Sequence, residues 1–338
     1  MTAGQPTHAV NPASATSVFD PSGAVRGRAV WQTWRPLAGE PSSEVAVAVV
    51  TGDRPGPTLW LEGAIHGNEI DSAIFVQKLI EAVNPAELRG TLIAVPVVNH
   101  AAFVACQRDG PLDGKDANRQ FPGRADGSYS EQLADAIRAS VEAHADYVID
   151  VHSSTETFLA LSHCLYYAAD SDVSRRSEAF ARRSCVDVIW ESSGDYMASA
   201  LYCWAVQHDI PTALLDVGDL DVAPRLGASV TGGLNMLAFA EMLPAPAFKA
   251  PEPYVVRDPR WVVADRAGIV IQYVTPGSRV DRGAKLFDVL GGKGDVLHTG
   301  VSPVDNALVL TTRRLKRAGQ GEWVISLGAI THDPARQP

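Results

Sequence analysis

Residues 58–83 read TLWLEGAIHGNEIDSAIFVQKLIEAV, and the change of pattern inside this stretch decides the fold class. Up to Ile65 the chain is a run of strand length, apolar apart from Thr58 and Glu62. From Glu69 to Val83 the apolar residues recur at spacings of three and four, which predicts a helix. A buried strand that turns directly into a helix is the unit from which α/β domains are assembled.

Working outward, VAVAVV (45–50), TLIAVPVV (91–98), YVIDVHSS (147–154), VDVIW (186–190) and TALLDVG (212–218) are further strand candidates. Helical spacing covers Ser130 to Ala145, Val173 to Ser184, Tyr196 to His208 and Gly232 to Leu243. Residues 1–43 lack such periodicity and read as an N-terminal arm carrying one strand near Val25 to Trp34. The segment PAPAFKAPEPY (244–254) carries four prolines and marks a boundary. After it come short strands broken by Gly, Pro and Asp turns. The expected organisation is an arm (1–43), an α/β catalytic domain (44–245), a linker (246–254) and a small C-terminal all-β domain (255–338).

Bulk properties narrow the function. With 338 residues, 46% hydrophobic and 20% charged, the chain has ample material for a large core. A formal charge of −10 repels phosphate backbones, and no basic stripe offsets it, so nucleic acid is excluded as a partner. Four scattered cysteines form no CxxC pair and read as reduced packing residues. Neither a signal-like N-terminus nor a membrane-length apolar run is present, which sets the expectation of a cytoplasmic protein with a small-molecule substrate. A homo-oligomer stays open.

Chemistry gathers at strand ends, where ligands bind in open α/β sheets. His66 closes the run TLWLEGAIH, and Glu69 opens the following helix, so both can face one ion. An HxxE pair alone reads as a surface turn. DYVIDVHSS then brings His152 to the end of another strand, with Asp150 two residues back on the same face. Two imidazoles and one carboxylate leave a coordination position for water, the arrangement of a catalytic rather than a structural zinc. Asp150 fits behind a ligand imidazole as its acceptor, and equally well as a carboxylate answering backbone N–H groups. A third piece, CQRDGPLDGKDANRQFPG (106–123), offers Arg108, Asn118 and Arg119 for a carboxylate or a developing oxyanion.

Taken in order, GAIHGNE, LDGKDANRQFPG and DVHSS resemble the succinylglutamate desuccinylase and aspartoacylase family of the zinc carboxypeptidase superfamily. The match spans about Val45 to Leu243, and the β-rich remainder is similar to that family's C-terminal domain. The resemblance implies a mixed central sheet flanked by helices and one zinc per chain held by His66, Glu69 and His152. It implies that Arg108 polarises the scissile carbonyl, that Asn118 and Arg119 hold the substrate's carboxylate, and that Asp116 braces their loop. The implied activity is deacylation of a small N-acyl amino acid or related carboxylate-bearing amide.

One departure stands out. Where the family places a glutamate as general base, IPTALLDVGD has Asp216, shorter by ~1.5 Å of reach, while proton transfer needs contact at about 2.6 to 3.2 Å. Asp216 can still be the base with the strand or water shifted. Asp219, Asp221 or Glu191 are the substitutes, and a non-catalytic zinc-binding or sensor protein is the reading without a base. A metallocarboxypeptidase acting on short peptides would use the same ligands and arginines. His163 and Tyr196 can line a substrate pocket but read first as packed or turn residues, Trp190 and Trp204 read as core, and His8, His298 and His332 have no partners at ligand spacing.

Overall fold

The computed structural model describes residues 16–193, 197–220, 223–244 and 252–334. Most of the expected linker, together with His8, Tyr196 and Asp221, lies outside the described residues. The first half of the chain supplies β1 (Arg28–Trp34), β2 (Val45–Thr51), β3 (Arg54–Gly63), α1 (Ile70–Ala82), β4 (Arg89–Val95) and α2 (His100–Ala105). It continues with α3 (Tyr129–His144), β5 (Tyr147–His152), β6 (Phe158–Ala160), β7 (His163–Tyr167), α4 (Asp172–Ala181) and β8 (Val188–Ser192). Next come α5 (Leu201–Gln207), β9 (Thr212–Asp216), α6 (Ala223–Phe239) and β10 (Tyr254–Val263). The C-terminal part adds β11 (Gly268–Gln272), β12 (Arg279–Val280), β13 (Lys285–Leu290), β14 (Val296–Val301), β15 (Ala307–Arg313), β16 (Arg317–Ala318) and β17 (Trp323–His332).

The central sheet is mixed and runs in the order β1-β2-β4-β3-β5-β9-β7-β8-β10-β17-β15-β12, with β6 paired to β15. Strands β3, β4, β5 and β9 are mutually parallel, so their carboxyl ends open on one edge. Alternation along the strands feeds two cores, as the pleat requires. Leu59, Leu61, Ile149 and Val151 face one layer with Phe75, Leu79, Phe180 and Met236 from α1, α4 and α6. Trp60, Val148, Ile93 and Val95 face the other, with Leu133 and Ile137 of α3 and Leu201 and Trp204 of α5. Each of these large side chains contributes roughly 1.5–3 kcal/mol by leaving water.

The C-terminal strands divide between two sheets. Strands β10, β17, β15 and β12 prolong the central sheet, because β10 pairs in parallel with β8. Strands β14, β13, β11 and β16 form a separate four-stranded sheet over a core of Val270, Leu286, Phe287 and Val309. No helix among the described residues is long and apolar enough to cross a membrane.

Helix α6 begins at Ala223, earlier than the expected Gly232. Pro224 sits in its first turn, where a missing N–H costs nothing. Glycines at 227, 232 and 233 then dilute the helical signal. Gly232 is required by packing, since a Cβ there would stand 1.9 Å from the carbonyl oxygen of Ser184.

Candidate active site

The turn from β3 into α1 is held from several sides. Ser72 accepts from the Ala64 N–H at 2.9 Å and donates to the Glu69 carbonyl at 2.6 Å. Asn99 donates to the Ile65 carbonyl at 3.0 Å. Gly67 lies against α2 so closely that a Cβ would come within 2.1 Å of the Ala102 carbonyl oxygen, which explains the glycine between His66 and Glu69. Strand β5 pairs with β3 on one side and β9 on the other, with His152 in register with Asp216.

These constraints bring His66, Glu69 and His152 together, all buried, with their donor atoms within 4.8 Å of one another. Glu69 Oε1 is 2.8 Å from His66 Nδ1, Glu69 Oε2 is 2.7 Å from His152 Nδ1, and the two Nδ1 atoms are 3.1 Å apart. On the far side of its ring His66 donates from Nε2 to Asp116 Oδ1 at 2.9 Å, which turns its Nδ1 lone pair inward. His152 Nε2 lies 3.2 Å from Asp150 Oδ1 and 3.0 Å from the Asn118 amide nitrogen. Two imidazoles and a carboxylate converging this closely make a donor set that could hold a metal ion. Arg108 Nη1 supplies positive charge here, 3.2 Å from both His66 Nδ1 and Glu69 Oε1.

Charge is balanced around this point. Burial works against the Glu69 carboxylate, but the two imidazoles outweigh it and hold its carboxyl well below the usual range. Burial likewise opposes charge on His152, yet Asp150 and Glu69 push its pKa well up. At Asp116 burial is overcome by His66, Arg108 and Arg119, which keep it ionised far below the ordinary range. Asp116 accepts from Arg108 at 2.9 Å and from the Asn118 backbone N–H at 2.9 Å, so it ties the arginine loop to the His66 imidazole.

Asn118 is placed differently from expectation. It is fully buried, its amide nitrogen donates to Asp150 at 2.8 Å, and its carbonyl accepts from the Leu201 N–H at 2.9 Å. A side chain so occupied braces the base of the site, and it does not border the cavity. Arg119 does border it and donates to the Asn118 carbonyl at 2.8 Å.

A cavity of about 410 Å³ opens above the His/Glu/His group, bordered by Arg108, Arg119 and Asp216. Asp216 is largely buried, and its Oδ1 accepts from the Gly218 N–H at 2.8 Å. Burial raises its carboxyl pKa, with Glu69 acting in the same direction and His163 against it. Two of the substitute carboxylates are elsewhere: Asp219 is paired with Arg314, and Glu191 accepts from Arg257 at 2.6 Å, both outside this cavity.

Several cavity residues are ones for which the sequence reading favours packing or offers no role. His163, expected to pack, borders the cavity beside Asp216, and so do Trp190 and Met197. Trp190 Nε1 is buried without a hydrogen-bond partner among the described residues. Strands β6, β10, β15 and β17 deliver Phe158, Trp261, Thr311, Trp323 and Ser326 to the outer wall. Only the order of strands in the sheet brings them there.

Residues 55–206 match the model of the succinylglutamate desuccinylase/aspartoacylase catalytic domain. Over 321 residues the chain is 28% identical to the N-alpha-acetyl-L-2,4-diaminobutyric acid deacetylase of Halomonas elongata, covering 87% of each protein. Its fold is similar to the ectoine utilization protein EutE (DoeB) of Ruegeria pomeroyi, with a TM-score of 0.77 at 23% identity, covering 85% of this chain and 89% of that one. A succinylglutamate desuccinylase/aspartoacylase structure from Rhodobacter sphaeroides gives a TM-score of 0.77 at 20% identity, over 92% and 98% of the two chains. The ordered motifs and the mixed sheet agree with these comparisons: residues 55–206 match the succinylglutamate desuccinylase/aspartoacylase catalytic domain, and the chain as a whole has the fold of that family's solved structures.

Proposed function

We propose that this protein is a zinc-dependent amidohydrolase that removes the acyl group from a small N-acyl amino acid or a related amide bearing a carboxylate. The observation that carries this reading is one cavity in which His66, Glu69 and His152 converge beside Arg108, Arg119 and Asp216. The likeness to a deacetylase of an N-acetylated amino acid supports it.

In this reading His66, Glu69 and His152 hold the zinc, which when bound lowers the pKa of a water to roughly 7 and withdraws charge from the scissile carbonyl. Asp216 takes a proton from the attacking water and later gives it to the leaving amine. Burial raises its carboxyl pKa, the direction that makes it more basic toward the attacking water. Arg108, on the exposed side of the site, turns from Asp116 and Glu69 toward the carbonyl oxygen, and Arg119 anchors the substrate carboxylate. Asn118 and Asp150 keep His152 in place, and Asp116 does the same for His66.

The cavity volume favours small substrates over a peptide, because strands β10, β15 and β17 wall off the side along which a longer chain would extend. Metal analysis combined with a substrate panel tests the proposal. We expect one zinc per chain, release of acyl groups from N-acyl amino acids, and loss of turnover on chelation that zinc restores. Full turnover by verified metal-free protein would refute it, as would release of C-terminal residues from peptides without any deacylation.

A further inference from the structure

We propose that His163 is the positioning residue for Asp216, the side chain that lets an aspartate serve as base; this rests on the reading of Asp216 above. Strands β7 and β9 are antiparallel and set His163 directly opposite Asp216. The His163 Nδ1 lies 2.8 Å from the Leu161 carbonyl oxygen. A carbonyl only accepts, so Nδ1 carries hydrogen and the ring presents Nε2 to its other neighbour. That neighbour is Asp216, with Nε2 4.0 Å from Oδ2.

The carboxylate is therefore held on one oxygen and flanked on the other. The Gly218 N–H donates to Oδ1 at 2.8 Å, and the imidazole flanks Oδ2. Gly218 adopts a φ of 70°, a conformation that glycine takes without strain, so the grip on Oδ1 is built into the backbone. At 4.0 Å the His163–Asp216 contact is too long for a direct hydrogen bond, and two facing lone pairs in a buried place need a hydrogen between them. A bridging water, or the proton that Asp216 acquires, meets that need and sets the direction of Oδ2. Both side chains border the cavity, so the hydrogen they share lies where the attacking water must be aligned. A glutamate gains reach from its extra methylene; this shorter acid has to be aimed, and His163 faces it from the adjoining strand.

The competing account makes His163 a packed ring against Trp190, whose centroid is 5.9 Å away. His163→Gln and His163→Asn separate the two, because a glutamine amide reaches the place of Nε2 while asparagine reaches only that of Nδ1. His163→Leu repeats the comparison with a side chain that cannot hydrogen-bond, should asparagine disturb folding. The full-length zinc-loaded proteins are assayed with N-acetyl-L-2,4-diaminobutyrate, N-acetyl-L-aspartate and N-succinyl-L-glutamate, using the fastest substrate for kcat and KM. Zinc content and melting temperature are recorded alongside.

We expect the glutamine variant to keep kcat within roughly five-fold of the parent and the asparagine and leucine variants to lose about twenty-fold or more, with KM moving less than about three-fold. Zinc content and melting temperature should not follow that ranking. Equal kcat in the glutamine and asparagine variants, or a loss carried by KM or by melting temperature, would overturn the role of His163. Asp216→Asn reports on the underlying reading separately. If it retains more than about a tenth of the parent kcat, the base assignment itself fails. If it is inactive while glutamine and asparagine behave alike, only the role of His163 falls.

Discussion

The floor and the outer wall of the cavity are built in opposite ways. On the floor, His66, Glu69, His152 and Asp216 come from the carboxyl ends of adjacent strands, and each charged group is answered by another within hydrogen-bonding range or a little beyond. The wall takes neutral side chains from β6, β10, β15 and β17, so that Phe158, close behind His152 in the chain, meets Trp261, Thr311, Trp323 and Ser326 from the C-terminal strands. Its centre is the stacked pair Phe158 and Trp323, 3.4 Å between ring centroids, capped by the Arg313 guanidinium 5.3 Å above Phe158. On the proposed reading, the floor carries the chemistry and the wall selects substrate size. The two are separable because a floor change alters charge at the reacting atoms, whereas a wall change alters volume.

The sharpest test of that division is Glu69→Gln. It removes the carboxylate between the two imidazoles while keeping shape, so zinc occupancy should collapse and turnover fall on the order of 10³-fold or more. Metal analysis and activity on the same preparation measure both. A Glu69→Gln protein that holds zinc and works normally would break the assignment of chemistry to the floor.

The two regions also differ in how far the sequence reveals them. The floor is legible because His66, His152 and Asp216 each sit at the end of a strand-length run and Glu69 opens the next helix, all of them local features. The resemblance adds the arginine loop, but the burial of Asn118 follows from the three-dimensional position of that loop under His152 and has no trace in the sequence. His163 was hidden because β7 is a short run that pairs with Asp216 through a register set by the sheet. The wall leaves no local trace at all. Nothing in the pattern of residues 254–332 says that β10 will extend the central sheet beside β8 while β11 joins another one. Pairing across such separations is decided by the packing of the whole domain.

The wall is tested by Trp323→Leu, which removes one half of the aromatic stack. Zinc content should stay at the parent value. The preference for acetyl over a longer acyl chain such as hexanoyl should shift by about ten-fold toward the longer chain, the usual scale for a few methylenes in an apolar pocket. Specificity constants for the paired substrates measure this. An unchanged ratio would mean that the floor sets size as well, and loss of zinc would mean that wall and floor are a single unit.

The smallest effect is expected one layer beneath the floor, at Glu62, and its readout is stability. Glu62 stands in register with Asp150 across β3 and β5 and is completely buried. Its Oε2 accepts from Trp60 Nε1 at 2.7 Å, while Oε1 has no hydrogen-bond partner among the described residues. Burial and the charge of Asp150 push its pKa up from 4.5 to about 8, so near neutral pH the folded protein holds this carboxyl mainly protonated. The folded value exceeds the unfolded one, and the native state therefore binds the proton more tightly. The resulting stability is fully present below about pH 4.5 and is lost as pH rises through about 8. Glu62→Gln mimics the neutral acid and cannot ionise, so urea unfolding at pH 5, 7 and 9 should show a flatter profile for the variant, with the parent losing ground toward pH 9. Parallel profiles would show that Glu62 is already charged in the fold, and that the layer beneath the floor tolerates two adjacent negative charges as readily as the wall tolerates none.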